Sequence, residues 1–390
     1  MTKSITLKKH EDKRVLAGHL WVFTNEIAKI EGDPQAGDLV TLRGHGGAPI
    51  GKGFYNPNSL IAFRLLTRLE EEIDFQFFQK RIERALALRT LLYPGAKAFR
   101  LVYGESDFLP GLIIDKYHHA LSVQTFSYGM DKRLTLVCDV LESLLKPKGI
   151  AERNESQIRL LEGLEPKKGI LRGSVEPATI EEHGLSYQVD LLEGQKTGFF
   201  LDQRENRFAL RRYSKGARVL DCFCNDGGFA LNAAAAGAKH VTAVDSSETA
   251  VRRAAANAAL NDLAGTVSFE TADAFDYMKL AIAKKKEFQL VNLDPPSFAK
   301  NRKTVAVAKK GYKELHTLAF QLVAKGGILA TSSCSFHIEE ATFLEVIQHS
   351  AQAAGRSVQL LEWRGAAPDH PVLPPMPETR YLKFGVFRVE

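Results

Sequence analysis

The sequence predicts an α/β protein whose C-terminal part is a mostly parallel sheet with an antiparallel final hairpin, preceded by a small β-barrel and an α/β linking domain. From residue 185 onward, apolar strand-like runs alternate with helical patterns, which is typical of a parallel sheet with crossover helices. The first 68 residues instead contain short β segments separated by turn formers. A chain of 390 residues is also too long for one ordinary core, so we predict three domains, over residues 1–69, 70–180 and 181–390.

The elements of the first two domains are predicted from local patterns. The β segments expected in the first domain are 18–23, 37–42, 50–55 and 61–66. The second domain begins with a helix, because apolar residues recur at helical spacing with arginines between them. The elements expected in the second domain are this helix at 73–92, strands at 99–103, 111–115 and 120–124, and a helix at 134–145.

The third domain is predicted to contain seven strands. The five expected parallel strands are 218–222, 240–245, 266–271, 288–294 and 328–332. Two further strands, 357–363 and 381–389, are joined by a proline-rich connection without a crossover helix, so we expect them to pair antiparallel. The carboxyl ends of strands line the ligand crevice of an open α/β sheet, so polar residues that follow several of these strands should form one site.

Composition bounds the partners and the compartment. The formal net charge of +6 is a mild basic excess that fits a polyanionic partner as well as an ordinary globular protein. The N-terminus has no apolar signal segment and no stretch is long enough for a membrane helix, so we expect a cytoplasmic protein without a membrane partner. Four cysteines are too few for a disulfide framework. Cys222 and Cys224 form a C-x-C without a second pair, and we therefore expect no metal site.

The turn after the first parallel strand has features of a cofactor-binding turn. Gly227 and Gly228 open a helix, which lets backbone N–H groups approach a ligand at the helix N-terminus. The glycine pattern of dinucleotide-binding proteins is absent, because Phe223 and Asn225 stand where its earlier glycines would be. Asparagine tolerates a left-handed backbone better than most residues, whereas phenylalanine departs from the pattern. Dinucleotide binding is therefore disfavoured.

A carboxylate follows each of three successive strands at Asp221, Asp245 and Asp273. Carboxylates can bind the ribose and amino groups of a nucleoside ligand that carries a positive centre, whereas a phosphate ligand would require cations. This pattern suits S-adenosylmethionine better than NAD or ATP, and the alternative is that these aspartates only cap helices. The candidate cofactor-binding residues are Asp221, Phe223, Asn225, Gly227, Gly228, Asp245, Ser246, Asp273, Ala274 and Asp294.

The motif Asp294-Pro295-Pro296-Ser297-Phe298 follows the fourth parallel strand. Two prolines stiffen this loop and supply no N–H, which leaves carbonyl groups beside a carboxylate and an aromatic ring. Such a loop suits a planar base that is hydrogen-bonded by Asp294 and stacked on Phe298. Pro295, Pro296 and Ser297 are further candidate substrate contacts, and an ordinary strand-ending turn is the alternative interpretation.

Cys334 follows the fifth parallel strand and should face the same crevice as Asp294. A lone cysteine is more often a small buried hydrophobic residue than a nucleophile. A thiolate has a chemical use here, however, because C5 of cytosine attacks a sulfonium methyl group only after a nucleophile has added to C6. Asp294 is placed to stabilise that adduct at N3. The base that removes the C5 proton is not identified, with His370 and a bound water as candidates.

A run of six cations without an anion follows at residues 300–313. We expect a loop at this position that covers the base and contacts phosphates through Lys300, Arg302 and Lys303. The alternative is an ordinary solvated surface, which is the usual role of a charge run.

Together these motifs resemble class I S-adenosylmethionine-dependent methyltransferases with a Rossmann-like domain, and in particular the bacterial 23S ribosomal RNA cytosine-5 methyltransferases that carry an N-terminal PUA domain. The segments 18–23 and 37–40 resemble the PUA portion, and 103–112 resembles the family's central domain. The most specific signature is QKTGFFLDQRENR at 195–207, which in the family helps to close the methionine end of the cofactor. By this resemblance the additional candidate cofactor-binding residues are Lys196, Thr197, Phe200 and Gln203.

The resemblance implies an enzyme that forms 5-methylcytidine in 23S ribosomal RNA through Cys334, with a PUA-like barrel that binds the RNA. Many RNA cytosine-5 methyltransferases use two cysteines, whereas Ser297 occupies the first of those places here, which leaves release of the adduct unexplained. One alternative is an RNA methyltransferase that acts on an exocyclic amine or a guanine without covalent catalysis. Another is a non-catalytic RNA-binding ribosome assembly factor. The sequence leaves the oligomeric state open, with a homodimer among the alternatives.

Overall fold

The computed structural model describes residues 3–194, 197–299 and 301–390. The chain forms two compact units, and each is assembled from separate segments of the sequence. Unit 1 comprises Met1–Ile180, Val189–Leu201 and Pro368–Thr379, and unit 2 comprises Glu181–Gln188, Asp202–Ala367 and Arg380–Glu390. No helix within the described ranges combines the length and the apolarity needed to cross a membrane.

Unit 1 begins with a six-stranded sheet and the short helix α1 (Lys13–Leu16). Its strands are β1 (Ser4–Leu7), β2 (Trp21–Val22), β3 (Ile27–Glu31), β4 (Leu39–Arg43), β5 (Pro49–Tyr55) and β6 (Phe63–Thr67). They pair in the order β2-β6-β5-β4-β1-β3 around a buried cluster that includes Ile5, Leu42 and Phe63. The sequence patterns did not predict β1 or β3. Most residues of β3 are exposed, so this strand has no alternating apolar pattern to detect.

A second sheet in unit 1 has five strands in the order β11-β10-β9-β8-β7. These strands are β7 (Ala98–Tyr103), β8 (Leu112–Tyr117), β9 (Ala120–Thr125), β10 (Gly149–Asn154) and β11 (Lys167–Gly173). The accompanying helices are α2 (Phe75–Leu92), α3 (Tyr128–Asp131) and α4 (Leu134–Leu145). The Asp74 carboxylate accepts a hydrogen bond from the Phe77 N–H at 3.0 Å and so caps α2. Phe78 and Ile82 of α2 are fully buried in the core cluster of this sheet.

A hairpin of β12 (Ala178–Glu182) and β13 (Leu185–Val189) precedes α5 (Arg204–Leu210). The buried Glu182 carboxylate accepts hydrogen bonds from Arg207 Nε at 2.8 Å and Nη2 at 2.7 Å, which fixes α5. The same arginine excludes a side chain from the next helix, because a Cβ at Gly228 would lie 2.6 Å from Arg207 Cδ. The glycine that opens that helix is therefore required by close packing.

The main sheet of unit 2 has seven strands in the order β16-β15-β14-β17-β18-β20-β19. They are β14 (Arg218–Cys222), β15 (His240–Asp245), β16 (Val267–Thr271), β17 (Phe288–Leu293), β18 (Val323–Ser333), β19 (Val358–Arg364) and β20 (Lys383–Val389). The helices are α6 (Gly228–Ala235), α7 (Glu248–Leu260), α8 (Ala274–Ala283), α9 (Val305–Leu322) and α10 (Glu340–Ala353). β14 to β18 pair in parallel, and β20 is antiparallel to both β18 and β19. The predicted parallel sheet with an antiparallel final hairpin is confirmed.

The prediction that residues 300–313 form a loop is wrong from residue 305 onward. A short 3-10 turn at Arg302–Thr304 leads directly into α9, which begins at Val305. Ala308, Tyr312 and Leu315 are buried, so this segment has a helical apolar face. The run of lysines on the other faces concealed that periodicity. The lysines are therefore held on a helix, where Lys309 Nζ lies 3.5 Å from Glu345 Oε2 of α10.

Candidate active site

The candidate site lies at the carboxyl edge of the unit 2 sheet, where the strand order reverses between β14 and β17. Asp221 pairs with Asn292 across these two strands, and Leu293 pairs with Thr331 of β18. The segments that follow β14, β17 and β18 therefore leave the sheet side by side. Ligands of open α/β sheets bind at such a reversal point.

Three left-handed residues shape the turn after β14. The φ angles are 64° at Phe223, 45° at Asn225 and 82° at Gly227. A left-handed phenylalanine is strained and persists only where the surrounding structure holds it. The Asn225 N–H donates to Asp245 Oδ2 at 3.0 Å, and the Cys224 N–H donates to the backbone of β15 at 3.1 Å. The neighbouring strand thus holds this turn in a conformation that glycines would adopt without strain.

Asp221 presents buried acceptor atoms to this edge. Its Oδ1 accepts a hydrogen bond from Asn292 Nδ2 at 2.8 Å. Asp221 Oδ2 and Asn292 Oδ1 are buried and have no hydrogen-bond partner among the described residues. Burial raises the pKa of Asp221 to about 7, and the negative charges of Asp294 and Asp245 also raise it. Two buried acceptors without donors fit a ligand that brings N–H groups and positive charge.

Asp245 and Asp273 also hold backbone groups. Asp245 Oδ1 accepts a hydrogen bond from the Ser247 N–H at 2.9 Å. Asp273 is exposed, and its Oδ1 accepts hydrogen bonds from the N–H groups of Phe275 at 2.9 Å and Asp276 at 3.2 Å. Asp273 therefore acts as the N-cap of α8. This role does not preclude a ligand contact, because a carboxylate has about four acceptor positions.

Gln203 connects the D-P-P motif to β18. The side chain is buried, and its Nε2 donates to Asp294 Oδ1 at 2.9 Å and to Ser332 Oγ at 3.1 Å. Its Oε1 accepts a hydrogen bond from Asn206 Nδ2 at 2.7 Å, which defines the orientation of the amide. Gln203 therefore positions the Asp294 carboxylate at the end of β17.

The remainder of the D-P-P-S-F motif packs towards α9. Pro295 is buried, Pro296 is exposed and Ser297 Oγ lies 3.1 Å from Ser335 Oγ. The ring centroid of Phe298 lies 4.7 Å from that of Tyr312. Phe298 is partly buried, so Tyr312 already covers part of the ring predicted to stack on a base.

The Cys334 thiol lies one residue beyond β18 and is partly exposed, whereas Ser333 and Ser335 beside it are fully buried. Tyr312 donates its phenolic O–H to Ser333 Oγ at 2.9 Å. Burial, together with the negative charges of Cys334 and Asp294, raises the pKa of Tyr312 to about 12. Cys334, Asp294 and Tyr312 therefore share one electrostatic environment.

Lys383 places a buried ammonium group in that environment. It pairs with Ser333 across β18 and β20, and its Nζ donates to Ser335 O at 2.7 Å and Ile338 O at 2.8 Å. Burial lowers the pKa of Lys383 to about 8, whereas the negative charge of Cys334 raises it. The interaction is reciprocal, so the ammonium group favours the thiolate form of Cys334.

Two cofactor candidates from the sequence signature lie in unit 1. Thr197 is buried there, and its Oγ1 donates to Asp115 Oδ2 at 2.5 Å. Phe200 belongs to the same segment of unit 1. Lys196 and Lys300 lie outside the described residues.

The remaining candidates have different placements. Ser246 is exposed after β15, and Ala274 is buried at the start of α8. Arg302 and Lys303 are exposed in the 3-10 turn before α9. His370, the candidate base, is buried in unit 1, where its Nδ1 lies 2.8 Å from Asp369 Oδ1.

The other cysteines of unit 2 are poor nucleophiles. Cys222 and Cys224 are buried, and burial raises the pKa of both thiols well above the ordinary value. Within residues 3–194, 197–299 and 301–390, no group of three or more histidine, cysteine, aspartate or glutamate side chains could hold a metal ion.

Three residues of the site, Asn292, Tyr312 and Lys383, were not predicted from the sequence. Asn292 had a detectable signal, since a polar residue inside an otherwise apolar strand requires a partner. Tyr312 was assigned to a loop, although the helical spacing of its apolar neighbours could have placed it on α9. Lys383 gave no local signal, because its position near Cys334 depends on the pairing of β18 with β20.

Comparison with known proteins agrees with this geometry. Residues 5–68 match the model of a PUA-like domain, and residues 109–385 match that of an S-adenosylmethionine-dependent methyltransferase. The chain is 39% identical to the ribosomal RNA large subunit methyltransferase I of Tolumonas auensis and 37% identical to that of Escherichia coli O157:H7. Each alignment covers 100% of this chain and 100% of the relative.

Solved structures show the same fold at lower identity. A Streptococcus mutans protein described as a SAM-dependent methyltransferase has a TM-score of 0.85 and 21% identity, with 100% of both chains covered. A structure described as a methyltransferase complexed with SAH has a TM-score of 0.86 and 21% identity, again over 100% of both chains.

The strand order, the left-handed turn and the carboxylates at the strand ends define a class I methyltransferase domain. The chain belongs to the S-adenosylmethionine-dependent methyltransferase family and has a PUA-like domain at residues 5–68. Its cofactor is S-adenosylmethionine. The unpartnered acceptors of Asp221 and Asn292 fit this cofactor, which carries an ammonium group and a sulfonium centre.

Proposed function

We propose that this protein transfers a methyl group from S-adenosylmethionine to C5 of a cytosine in 23S ribosomal RNA. Its full-length relatives bear the name ribosomal RNA large subunit methyltransferase I, which supports the RNA class. The observation that supports cytosine C5 is the environment of Cys334. This partly exposed thiol follows β18, close to the buried ammonium group of Lys383 and to Asp294. Of these two groups, the Lys383 ammonium favours a nucleophilic thiolate.

The residues at the end of β14 would hold the cofactor, which supplies an electrophilic methyl group on a sulfonium sulfur. Asp221 Oδ2 and Asn292 Oδ1 would accept hydrogen bonds from its ammonium group. Asp245 would accept hydrogen bonds from the ribose hydroxyls. The N-terminus of α6, which begins at Gly228 after the left-handed Gly227, would present backbone N–H groups to the cofactor.

The Cys334 thiolate then adds to C6 of the cytosine, which forms an S–C6 bond and moves the C5–C6 π electrons onto C5. N3 takes up a proton from the Asp294 carboxyl group, which neutralises the adduct, and this proton returns to Asp294 when the thiolate leaves C6; Gln203 holds the carboxyl group in place. The activated C5 then takes the methyl group from the sulfonium sulfur, which keeps the electron pair of the broken S–CH3 bond. The C5 proton then passes to a water molecule, the C5–H electrons restore the C5–C6 double bond, and the thiolate leaves C6.

The cytosine must leave its stack for this reaction, because the nucleophile and the methyl donor need access to opposite faces of the ring. The proline-stiffened loop 294–298 offers a carboxylate at the edge of the base. The two sheets of unit 1 would bind the structured RNA around the target through shape and phosphate contacts.

Product analysis together with a covalent trap tests this proposal. Unmodified 23S ribosomal RNA is incubated with the protein and labelled S-adenosylmethionine, and its nucleosides are separated by mass spectrometry. We expect the label in 5-methylcytidine. We also expect a stable protein–RNA adduct when the transcript contains 5-fluorocytidine, because fluorine at C5 blocks the elimination that releases the thiolate.

Two cysteine variants separate chemistry from folding. Cys334→Ala should lose both the product and the adduct while retaining cofactor binding. Cys138→Ala removes a fully buried thiol of unit 1. This variant should still form the product and the adduct and should still bind the cofactor. Label in a methylated purine, or wild-type turnover by Cys334→Ala, would rule out the thiolate mechanism while leaving the fold and the cofactor unaffected.

A further inference from the structure

Unit 1 contains a cavity of about 440 Å³ that has no part in the chemistry proposed above. It is bounded by the exit of β6, by α2 and by the turn at Phe108. This volume is within the range of small-ligand sites. The cavity therefore has room for one nucleobase.

The floor of the cavity is apolar and includes Leu66 and Phe77, both buried, with the partly buried Phe108. Phe108 has a φ of 60°, a left-handed conformation that is costly for a bulky residue. Arg81 holds it, because Nη1 donates to Phe108 O at 2.8 Å and Nη2 donates to Leu66 O at 2.8 Å. Backbone strain that the surroundings maintain in this way is characteristic of binding sites.

The rim of the cavity is cationic. Lys80 and Arg84 are exposed one turn apart on α2, and Arg68 is exposed at the exit of β6. The Arg84 guanidinium lies 5.5 Å from the ring centroid of Phe108. None of these three cations has an ion-pair partner among the residues that the structure describes.

The two acidic residues of the lining are occupied elsewhere. Asp107 accepts two hydrogen bonds from Arg89, at 2.5 Å and 2.8 Å. Glu71 accepts a hydrogen bond from the Thr67 hydroxyl. The lining carries four cations, Arg68, Lys80, Arg81 and Arg84, against these two carboxylates, so its net charge is positive and complements a polyanion rather than an apolar peptide.

We propose that this cavity binds one unpaired nucleotide of the RNA substrate, distinct from the cytosine that is methylated. Its base stacks on Phe108, and the flanking phosphates contact Arg68, Lys80 and Arg84. A paired base within a helix could not enter, so this site would select RNA with a bulged or single-stranded nucleotide at a fixed position from the target. The inference depends on the proposed function only in that the substrate is RNA.

Neutralising the rim tests the phosphate contacts. Filter binding of a radiolabelled, unmodified 23S ribosomal RNA transcript is measured over a salt series for the wild type and for Lys80→Gln/Arg84→Gln. Since each phosphate contact on a single strand contributes about 0.7 to the salt slope, we expect the slope to fall by about 1.4. Lys9→Gln is the matched control, because Lys9 is an exposed cation of unit 1 that does not line the cavity.

Removing the ring tests the stacking. Phe108→Gly relieves the left-handed strain and should fold, yet we expect its affinity for the transcript to fall about tenfold. Phe108→Tyr retains the ring and should bind as the wild type does. With a 4-thiouridine-substituted transcript, irradiation should crosslink RNA to a peptide that contains Phe77 or Phe108. Cofactor affinity, measured by calorimetry, should be unchanged in every variant.

The possible outcomes distinguish failure of the nucleotide site from failure of the proposed methyl-transfer function. If the wild type methylates the RNA while Phe108→Gly and Lys80→Gln/Arg84→Gln bind it as tightly as the wild type, the nucleotide site is refuted and the function stands. If those variants lose activity only on ribosomal particles and bind naked RNA normally, the cavity binds a protein and the proposal is again wrong. If the wild type neither binds nor methylates RNA, the proposed function fails, and the nucleotide site fails with it.

Discussion

The two ends of the unit 2 site bury groups of opposite charge. At the end of β14, burial raises the pKa of the Asp221 carboxyl group to about 7. Beside the end of β18, burial lowers the pKa of the Lys383 ammonium group to about 8. In both cases removal from water favours the neutral form. Both groups consequently titrate close to neutral pH.

On the proposed mechanism, this difference would let one crevice accommodate a positively charged cofactor and a negatively charged nucleophile. A cationic ligand near Asp221 favours its ionised form, and a thiolate near Lys383 favours its protonated form. The cofactor would thus stabilise the charged form of Asp221, and the Cys334 thiolate would stabilise the charged form of Lys383. The hydrogen-bonded pair Gln203–Asp294 lies at the end of β17, between the two strand ends in the sheet order.

Apart from loss of Cys334, the largest expected effect is that of Asp294→Asn. The amide can still accept the hydrogen bond from Gln203, but it cannot supply the proton that neutralises the adduct at N3. We expect kcat for methyl transfer to fall by about a hundredfold or more, with cofactor affinity much less affected. Asp276→Asn, which changes an exposed carboxylate of α8 that is not a candidate site residue, should change kcat less than twofold. Equal losses in the two variants would show that the effect is structural.

Asp221→Asn should reduce the affinity for S-adenosylmethionine about tenfold. This loss corresponds to about 1.4 kcal/mol of binding free energy. In the wild type the carboxyl group ionises as the pH rises through about 7, so we expect cofactor affinity to rise over the same interval. Calorimetry from pH 6 to 8.5 should show that the ratio of wild-type to variant affinity rises over this interval; the ratio cancels the titration of the cofactor's own ammonium group near pH 8. A rise of the same size in Asp221→Asn would contradict the assignment.

The same variant makes a prediction about stability. The folded-state pKa of Asp221 lies above the ordinary value of 3.8, so the folded protein binds this proton more tightly than the unfolded chain does. Its contribution to the free energy of unfolding is therefore fully present below about pH 4 and is lost as the pH rises through about 7. Urea unfolding at pH 5 and pH 8 should show a smaller difference in Asp221→Asn than in the wild type.

Lys383→Gln should lower the reactivity of the Cys334 thiol. The glutamine retains a donor for one backbone carbonyl but removes the charge, so we expect the apparent pKa of the Cys334 thiol to rise. The rate at which iodoacetamide alkylates the Cys334 peptide, followed by mass spectrometry, should fall severalfold at pH 7. Since Lys383 loses its proton above about pH 8, the difference from the wild type should narrow there. Lys383→Arg should restore the wild-type profile, and a pH-independent difference would refute the electrostatic role.

The parallel part of the sheet was predictable because its signals are local. The predicted strands 218–222 and 240–245 have the same bounds as β14 and β15. Each is a short apolar run that ends in an aspartate or a cysteine beside turn residues. The helix α9 was missed over its first half because lysines on its exposed faces dominated the pattern. Burial of Tyr312 on the inner face of α9 stabilises the helix despite the lysines on its exposed faces.

The site was predictable only where a residue lies next to a strand end. Asp221, Asp294 and Cys334 could be placed at one edge because parallel strands bring their carboxyl ends together. Two further residues affect the charge of these groups: Asn292 beside Asp221, and Lys383 near Cys334. Their positions depend on which strands are neighbours in the sheet. Neighbour order is a property of the topology, and no local pattern encodes it.

The smallest expected effect concerns the left-handed turn that supports the β14 end. Asn225→Ala should lower the free energy of unfolding by about 1 kcal/mol, because alanine tolerates a φ of 45° less well than asparagine. Asn225→Gly should change it by less than about 0.5 kcal/mol. Asp262→Ala is the matched control, since Asp262 is an exposed left-handed residue with a φ of 58° far along the chain from the turn. It should cost similar stability without changing cofactor affinity, whereas Asn225→Ala should also weaken that affinity severalfold. If both alanine variants leave the affinity unchanged, the left-handed turn is a requirement of folding alone, and the difference between the two ends of the site rests entirely on their buried charges.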